Sequence, residues 1–180
     1  MKKEQFDTLV QKLKDLGYAD EIDWQNELEP CDNNNAFMME ACWVVLNSGM
    51  KEQIARKIWG RIQGAWSDGI DISEVFKHKG KVAAIKYILA NSGNLFEGYV
   101  LSTNKIEYLQ TIPFIGKITC YHLAKNLGHD CVKPDRHLVR VAKEYNTTPD
   151  ELCQKLSDDT GYKKCVIDIV IWRSCNLKLI

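Results

Sequence analysis

The chain has no excess of either charge: 24 Lys and Arg residues stand against 24 Asp and Glu, for a formal net charge of zero. That balance excludes a general electrostatic pull towards nucleic acid or an anionic membrane, so a polyanionic partner must be met by a local patch. No apolar run approaches the roughly 20 residues of a membrane-spanning helix. The opening segment "MKKEQFDTLVQKLKDLG" carries charges throughout, which makes it a poor signal peptide and an ordinary amphipathic helix. Among the seven cysteines (Cys31, Cys42, Cys120, Cys131, Cys153, Cys165 and Cys175) there is no C-x-x-C pair, and an odd number suits a disulfide framework badly. His122, His129 and His137 are spaced as in no zinc motif. The expectation is a cytoplasmic protein with reduced, structural thiols and no metal site.

Strand signals are nearly absent as well. Helical periodicity appears near 3–16, 36–48, 51–65, 79–91, 104–110, 117–127, 136–145, 149–158 and 161–174. The joints hold Gly17, Pro30, Gly69, Gly93, Gly128 and Pro149. "CDNNNAF" reads as a loop that ends in a helix cap. "NTTPDEL" is a second cap, with Thr148 as N-cap, Pro149 in the first turn, and Asp150 and Glu151 at the positive helix end. There is no repeat, no low-complexity tail and no linker long enough to separate independent domains. With 45% apolar residues over 180 positions, the chain is expected to be a compact all-α protein.

What is present in abundance is local. In "LQTIPFIGKITC", Leu109 and Ile112 close a short helix that Pro113 cannot continue. Gly116 offers backbone freedom, and a second helix starts at Lys117 with Ile118, Tyr121, Leu123 and Ala124 facing inward. So tight a corner leaves successive backbone N–H groups at the positive end of the second helix, where a phosphate oxygen fits, and Lys117 adds a full charge. From Lys105 to Lys143 seven basic residues stand against three acidic ones. Arg136, Arg140 and Lys143 share one helical face at i, i+4 and i+7. A basic stripe beside a phosphate nest points to DNA, held without sequence reading.

These residues carry a resemblance. "LQTIPFIGKITCYHLAKNLG" followed by "VKPDRHLVRVA" resembles the helix–hairpin–helix and Gly/Pro-Asp signature of the HhH-GPD superfamily of DNA glycosylases. That superfamily includes endonuclease III, the adenine-mismatch and alkylbase glycosylases and the archaeal type of 8-oxoguanine glycosylase. "HLAKNLG" with "DRHL" is most similar to the last group. "HKGKVAAIKYI" is similar to the family's Lys-Ala-rich helix and "IDIVIWRSC" to its closing helix. The likeness spans roughly Phe37 to Cys175 and is specific only over 109–142.

The resemblance implies one HhH-GPD domain over 1–180, two-lobed and all-α. One lobe is expected at 31–127, with the hairpin at 105–127, and the other at 1–30 plus 128–180, with a cleft floored by Asp135. It implies that Asp135 is catalytic, favoured in its charged form by helix N–H groups and Arg136. It further implies that Phe114, Ile115, Gly116, Lys117, Thr119, Arg136 and Arg140 hold DNA phosphates. Asn47, Ser48 and Met50 become candidates for the side chain that fills the space of a flipped nucleotide. Trp172 and His137 become candidates for the base pocket, ahead of Trp43, Trp59 and Trp66, which read as core. Lys77, Lys79 and Lys81 are further candidates for phosphate contacts.

The chain departs from the family pattern in three ways. Phe114 stands where the hairpin's first glycine is expected, Ile118 stands at the position of the lyase lysine, and the iron–sulfur cysteines are missing. No cofactor is expected, apart from room for a monovalent cation at the hairpin carbonyls. The reading is a monomeric, monofunctional DNA N-glycosylase acting on double-stranded DNA that contains a damaged or modified base, cytoplasmic and associated with the nucleoid. Its rivals are a bifunctional 8-oxoguanine glycosylase/AP lyase using another lysine, and an inactive helix–hairpin–helix DNA-binding protein.

Overall fold

A computed structural model describes residues 1–180: eleven helices and no strand. The all-α expectation holds. No helix is long and apolar enough to cross a membrane. The chain divides into two compact units, one made of residues 1–30 and 124–180 and the other of residues 31–123.

The first unit contains α1 (Lys3–Asp15), α2 (Ala19–Glu27), α9 (Arg136–Glu144), α10 (Pro149–Thr160) and α11 (Lys164–Asn176). The apolar stripe of α1, Phe6, Leu9, Val10 and Leu13, is buried, as the spacing of an amphipathic helix requires. It joins Leu138, Leu152, Leu156, Val166, Ile167, Val170 and Ile171 in one core. Each such side chain, fully buried, contributes about 1.5–3 kcal/mol. The sequence periodicity does not show α2, because only Ile22 and Gln25 of its residues are buried. Asp20 and Glu21 in its first turn favour the helix by facing the positive end.

The second unit contains α3 (Asn34–Asn47), α4 (Glu52–Ser67), α5 (Ile72–Val75), α6 (Lys79–Leu101) and α7 (Lys105–Leu109), and the chain leaves it within α8 (Thr119–Asn126). Asn33 caps α3 by accepting the Ala36 N–H. α3 is apolar nearly all round and lies in the core, with Phe37 set against Phe96 and Tyr99 at centroid distances of 5.7 and 5.0 Å. Gly93 is not a joint, since α6 runs through it to Leu101. Further along α6 a glycine is required: a Cβ on Gly98 would occupy the place of the Tyr108 ring, whose hydroxyl donates to the Leu95 carbonyl at 2.9 Å.

Candidate active site

The turn of the hairpin lies in the second unit, and its second helix, α8, runs on into the first. α7 ends at Leu109, and the Ile115 N–H donates to the Ile112 carbonyl at 3.0 Å to close the turn. The left-handed residue is not Gly116 but Phe114, at φ 71°. A bulky residue rarely adopts this angle; here Phe114 is 43% exposed and its ring rests with one side on the start of α6. The ring lies edge-on to His78, 5.8 Å between centroids, and 3.1 Å from where a Gly80 Cβ would stand. Gly80 is therefore the residue that admits Phe114.

The Cys120 N–H reaches the Gly116 carbonyl at 3.0 Å, so helical geometry begins at Lys117, two residues before the regular α8. The Thr119 hydroxyl accepts the Gly116 N–H at 2.6 Å. The N–H groups of Lys117, Ile118 and Thr119 have no acceptor in the chain, as expected of a helix start. Lys117 is exposed beside them. Ile118, expected to face inward, is 41% exposed; Cys120, Leu123, Ala124 and Leu127 make the buried face.

Much of the basic stretch is used internally. Lys105 donates to the carbonyls of Tyr99, Val100 and Ser102 and so caps the end of α6. Lys125 is buried in an ion pair with Asp168. Arg140 pairs with Glu144 at 2.7 Å and also reaches the Cys175 sulfur. Lys117, Arg136 and Lys143 are the cations left exposed without an ion pair.

Asp135 lies in the first unit as the N-cap of α9. Its Oδ1 accepts the N–H of His137 at 2.9 Å and of Leu138 at 3.1 Å. Its Oδ2 faces the Lys133 ammonium at 3.8 Å, and the side chain is 14% exposed. The cation beside it is thus Lys133 and not Arg136, whose guanidinium turns to the His137 ring at 3.4 Å. Burial lowers the Lys133 pKa, against the pull of Asp135 and Asp168. One carboxylate oxygen is occupied by the cap; the other is available to a developing positive charge or a water proton.

The loop that carries Asp135 is fastened from beneath by residues that no sequence motif marks. Asp168 of α11 accepts the Lys133 N–H at 2.6 Å, and the same oxygen pairs with Lys125 at 2.9 Å. These two side chains are 3% and 5% exposed. Burial pushes the Asp168 carboxyl up, with Lys125 and the Lys133 N–H pulling the other way. Gln25 donates to the Lys125 carbonyl at 3.3 Å, and the Asp130 carboxylate takes the Cys165 N–H at 2.9 Å. The sequence signal was a lone aspartate in the apolar run "CVIDIVIW", since a buried carboxylate needs a partner.

Of the candidate wedge residues, Asn47 ends α3 and Ser48 and Met50 lie in the turn after it, with Gly49 at φ 67°. Lys81 fixes this turn instead of standing in solvent: buried, it donates to the Leu46 and Ser48 carbonyls at 2.6 Å each. Burial lowers its pKa. Asn47 Oδ1 is buried with no hydrogen-bond partner. In the first unit Trp172 is half-buried, with the Arg173 guanidinium 4.7 Å from its ring centre and an equal 4.7 Å from that of Tyr18. His137 is half-buried beside Asp135. In the second unit Trp43 and Trp59 lie 6.3 Å apart, and Trp66 is 44% exposed, not core. All seven cysteines are free, and burial pushes Cys42 and Cys131 up to about 12. No three metal-ligating side chains form a metal site.

This arrangement of helices is a fold of helix–hairpin–helix DNA glycosylases. Among solved structures the chain is similar to the Methanocaldococcus jannaschii 8-oxoguanine glycosylase/lyase, crystallised with a 15mer DNA containing 8-oxoguanine. The TM-score is 0.67 at 18% identity over 92% of this chain and 94% of that one, a likeness that establishes a shared fold. No family model and no curated protein sequence matches the chain.

Proposed function

We propose that the chain is a monofunctional DNA N-glycosylase of base-excision repair, with Asp135 as its catalytic carboxylate. The observation that carries this reading is the division of labour in Asp135: Oδ1 is held by two α9 N–H groups, while Oδ2 accepts no hydrogen bond and faces the Lys133 ammonium at 3.8 Å. As the glycosidic bond of a flipped nucleotide breaks, the base leaves with the bonding electrons and the sugar gains oxocarbenium character. Oδ2 stabilises that charge and takes a proton from the water that bonds to C1′; solvent protonates the departing base. The unpaired N–H groups after Gly116, together with Lys117, receive a phosphate. The wedge comes from Asn47, Ser48 or Met50, at the turn whose Leu46 and Ser48 carbonyls Lys81 holds.

Ile118 offers no amine, which supports the monofunctional chemistry. One observation favours a second reading. Lys133, with its lowered pKa, lies 3.8 Å from Asp135 and is an amine suited to Schiff-base attack on C1′. A panel of duplexes carrying 8-oxoguanine, uracil, hypoxanthine or an alkylated purine, each with and without hot alkali and borohydride, decides between them. We expect base release from at least one duplex, strand breaks only after alkali, and no borohydride cross-link. Asp135→Asn, which keeps the capping oxygen, should lower release on the order of 10²–10³-fold with binding little changed. Release at the wild-type rate would leave Asp135 a cap only. A cross-link lost in Lys133→Gln but kept in Lys117→Gln establishes the bifunctional reading. Binding without release from any duplex establishes the inactive one.

A further inference from the structure

We propose that the buried Lys125–Asp168 pair positions Asp135 by holding the backbone of the Lys133–Pro134–Asp135 loop. The contacts form an unbroken series. Lys125 Nζ fixes Asp168 Oδ2 at 2.9 Å, and Asp168 Oδ2 takes the Lys133 N–H at 2.6 Å. The Lys133 carbonyl accepts the Asp135 N–H at 2.7 Å, and Asp135 then caps α9. Pro134 stiffens the one residue between the two backbone contacts. An apolar pair would fill the same space and need no partners, and it often stabilises a core at least as well. What an apolar pair cannot supply is an acceptor for the Lys133 N–H. Asp168 and Lys125 touch Asp135 only through the backbone, so they are positioning residues. Their effect belongs on the rate of the bond-breaking step, where a misplacement of about 1 Å costs on the order of 10²-fold.

This proposal rests on the reading of Asp135 as catalytic, and two double variants separate it from a structural role. Lys125→Met with Asp168→Asn removes both charges and keeps an acceptor for the Lys133 N–H. Lys125→Met with Asp168→Leu removes the acceptor as well. At saturating enzyme, on whichever duplex of the panel the wild type excises fastest, the Asn form should stay within about threefold of the wild-type rate. The Leu form should fall about 10–100-fold, with duplex Kd changed less than about threefold in both. Equal rates for the two forms, or rates that merely follow their melting temperatures, overturn the proposal.

Backbone amide exchange gives a readout that needs no substrate. In the Leu form the amides of His137 and Leu138 should exchange at least about tenfold faster than in the Asn form, while that of Glu151 in α10 stays unchanged. Unchanged protection at His137 and Leu138 also overturns the proposal. Should the Leu form not fold, Asp168→Val replaces it in the same comparison. If the wild type releases no base at all, the glycosylase reading fails, and the exchange result still decides whether the pair holds the loop.

Discussion

Phe114 shows how one residue can depart from a motif and be accommodated. Its φ of 71° costs about 1–3 kcal/mol for a side chain of this kind, and the ring contacts with His78 and Gly80 offset that strain. The two positions are coupled. In a helix interior alanine is favoured over glycine by about 1 kcal/mol; Gly80 lies in the first turn of α6, so Gly80→Ala should stabilise the protein by a fraction of that once Phe114→Gly has removed the ring. With Phe114 present, the new Cβ meets the ring at 3.1 Å and the gain should shrink or reverse. Urea unfolding of the four proteins should give a coupling of about 1 kcal/mol; additive effects would show that the ring yields freely. The sequence marks Phe114 as out of place but not the glycine that admits it, because the two lie far apart in the chain. Lys81 was hidden for the same reason. Its lysine neighbours suggest a solvated run, and only the fold turns it onto the Leu46 and Ser48 carbonyls.

Helix termini were legible wherever their chemistry is local. Thr148 accepts the Glu151 N–H at 3.3 Å, and Glu151 returns the bond from the Thr148 N–H at 3.0 Å, the capping box that "TPDE" announces. Thr148→Ala should cost about 1 kcal/mol. The Glu151 carboxyl is held below its ordinary value first by the Thr148 N–H and then by the hydroxyls of Thr147 and Thr148. Because the folded pKa is the lower one, this stabilisation is present above the unfolded value of about 4.3 and is lost as pH falls through the folded value. Glu151→Gln should therefore narrow the gap between urea midpoints at pH 6 and pH 3; an unchanged gap would place the acid sensitivity elsewhere. Asp135 as the cap of α9 was legible on the same grounds. The course of α6 through Gly93 was not, since tertiary contacts such as Tyr108 against Gly98 extend a helix that local propensity would interrupt. Likewise α2 depends on burying Ile22 and Gln25, which no periodicity of its own displays.

At the scale of the molecule, a count of seven basic residues in the hairpin stretch overstates what DNA could meet. Four of them are committed to carbonyls or carboxylates, leaving Lys117, Arg136 and Lys143. If these three contact phosphates, the logarithm of the binding constant should fall with the logarithm of salt at a slope on the order of −3, each contact contributing about −0.9. Lys117→Glu should weaken all duplexes alike and reduce the slope by about 1. A slope near −6 in the unmodified protein would mean that the internally paired cations release their partners or that another surface takes part. The division of the chain into units has a consequence for synthesis. Residues 31–123 form an uninterrupted unit, whereas the other unit joins 1–30 to 124–180. During translation α1 and α2 are made before the intervening unit, yet their apolar faces must wait for α9, α10 and α11, made only after it. Residues 31–123 thus have all their core partners in hand as soon as they are made, whereas the apolar faces of α1 and α2 stay uncovered for the length of the intervening unit.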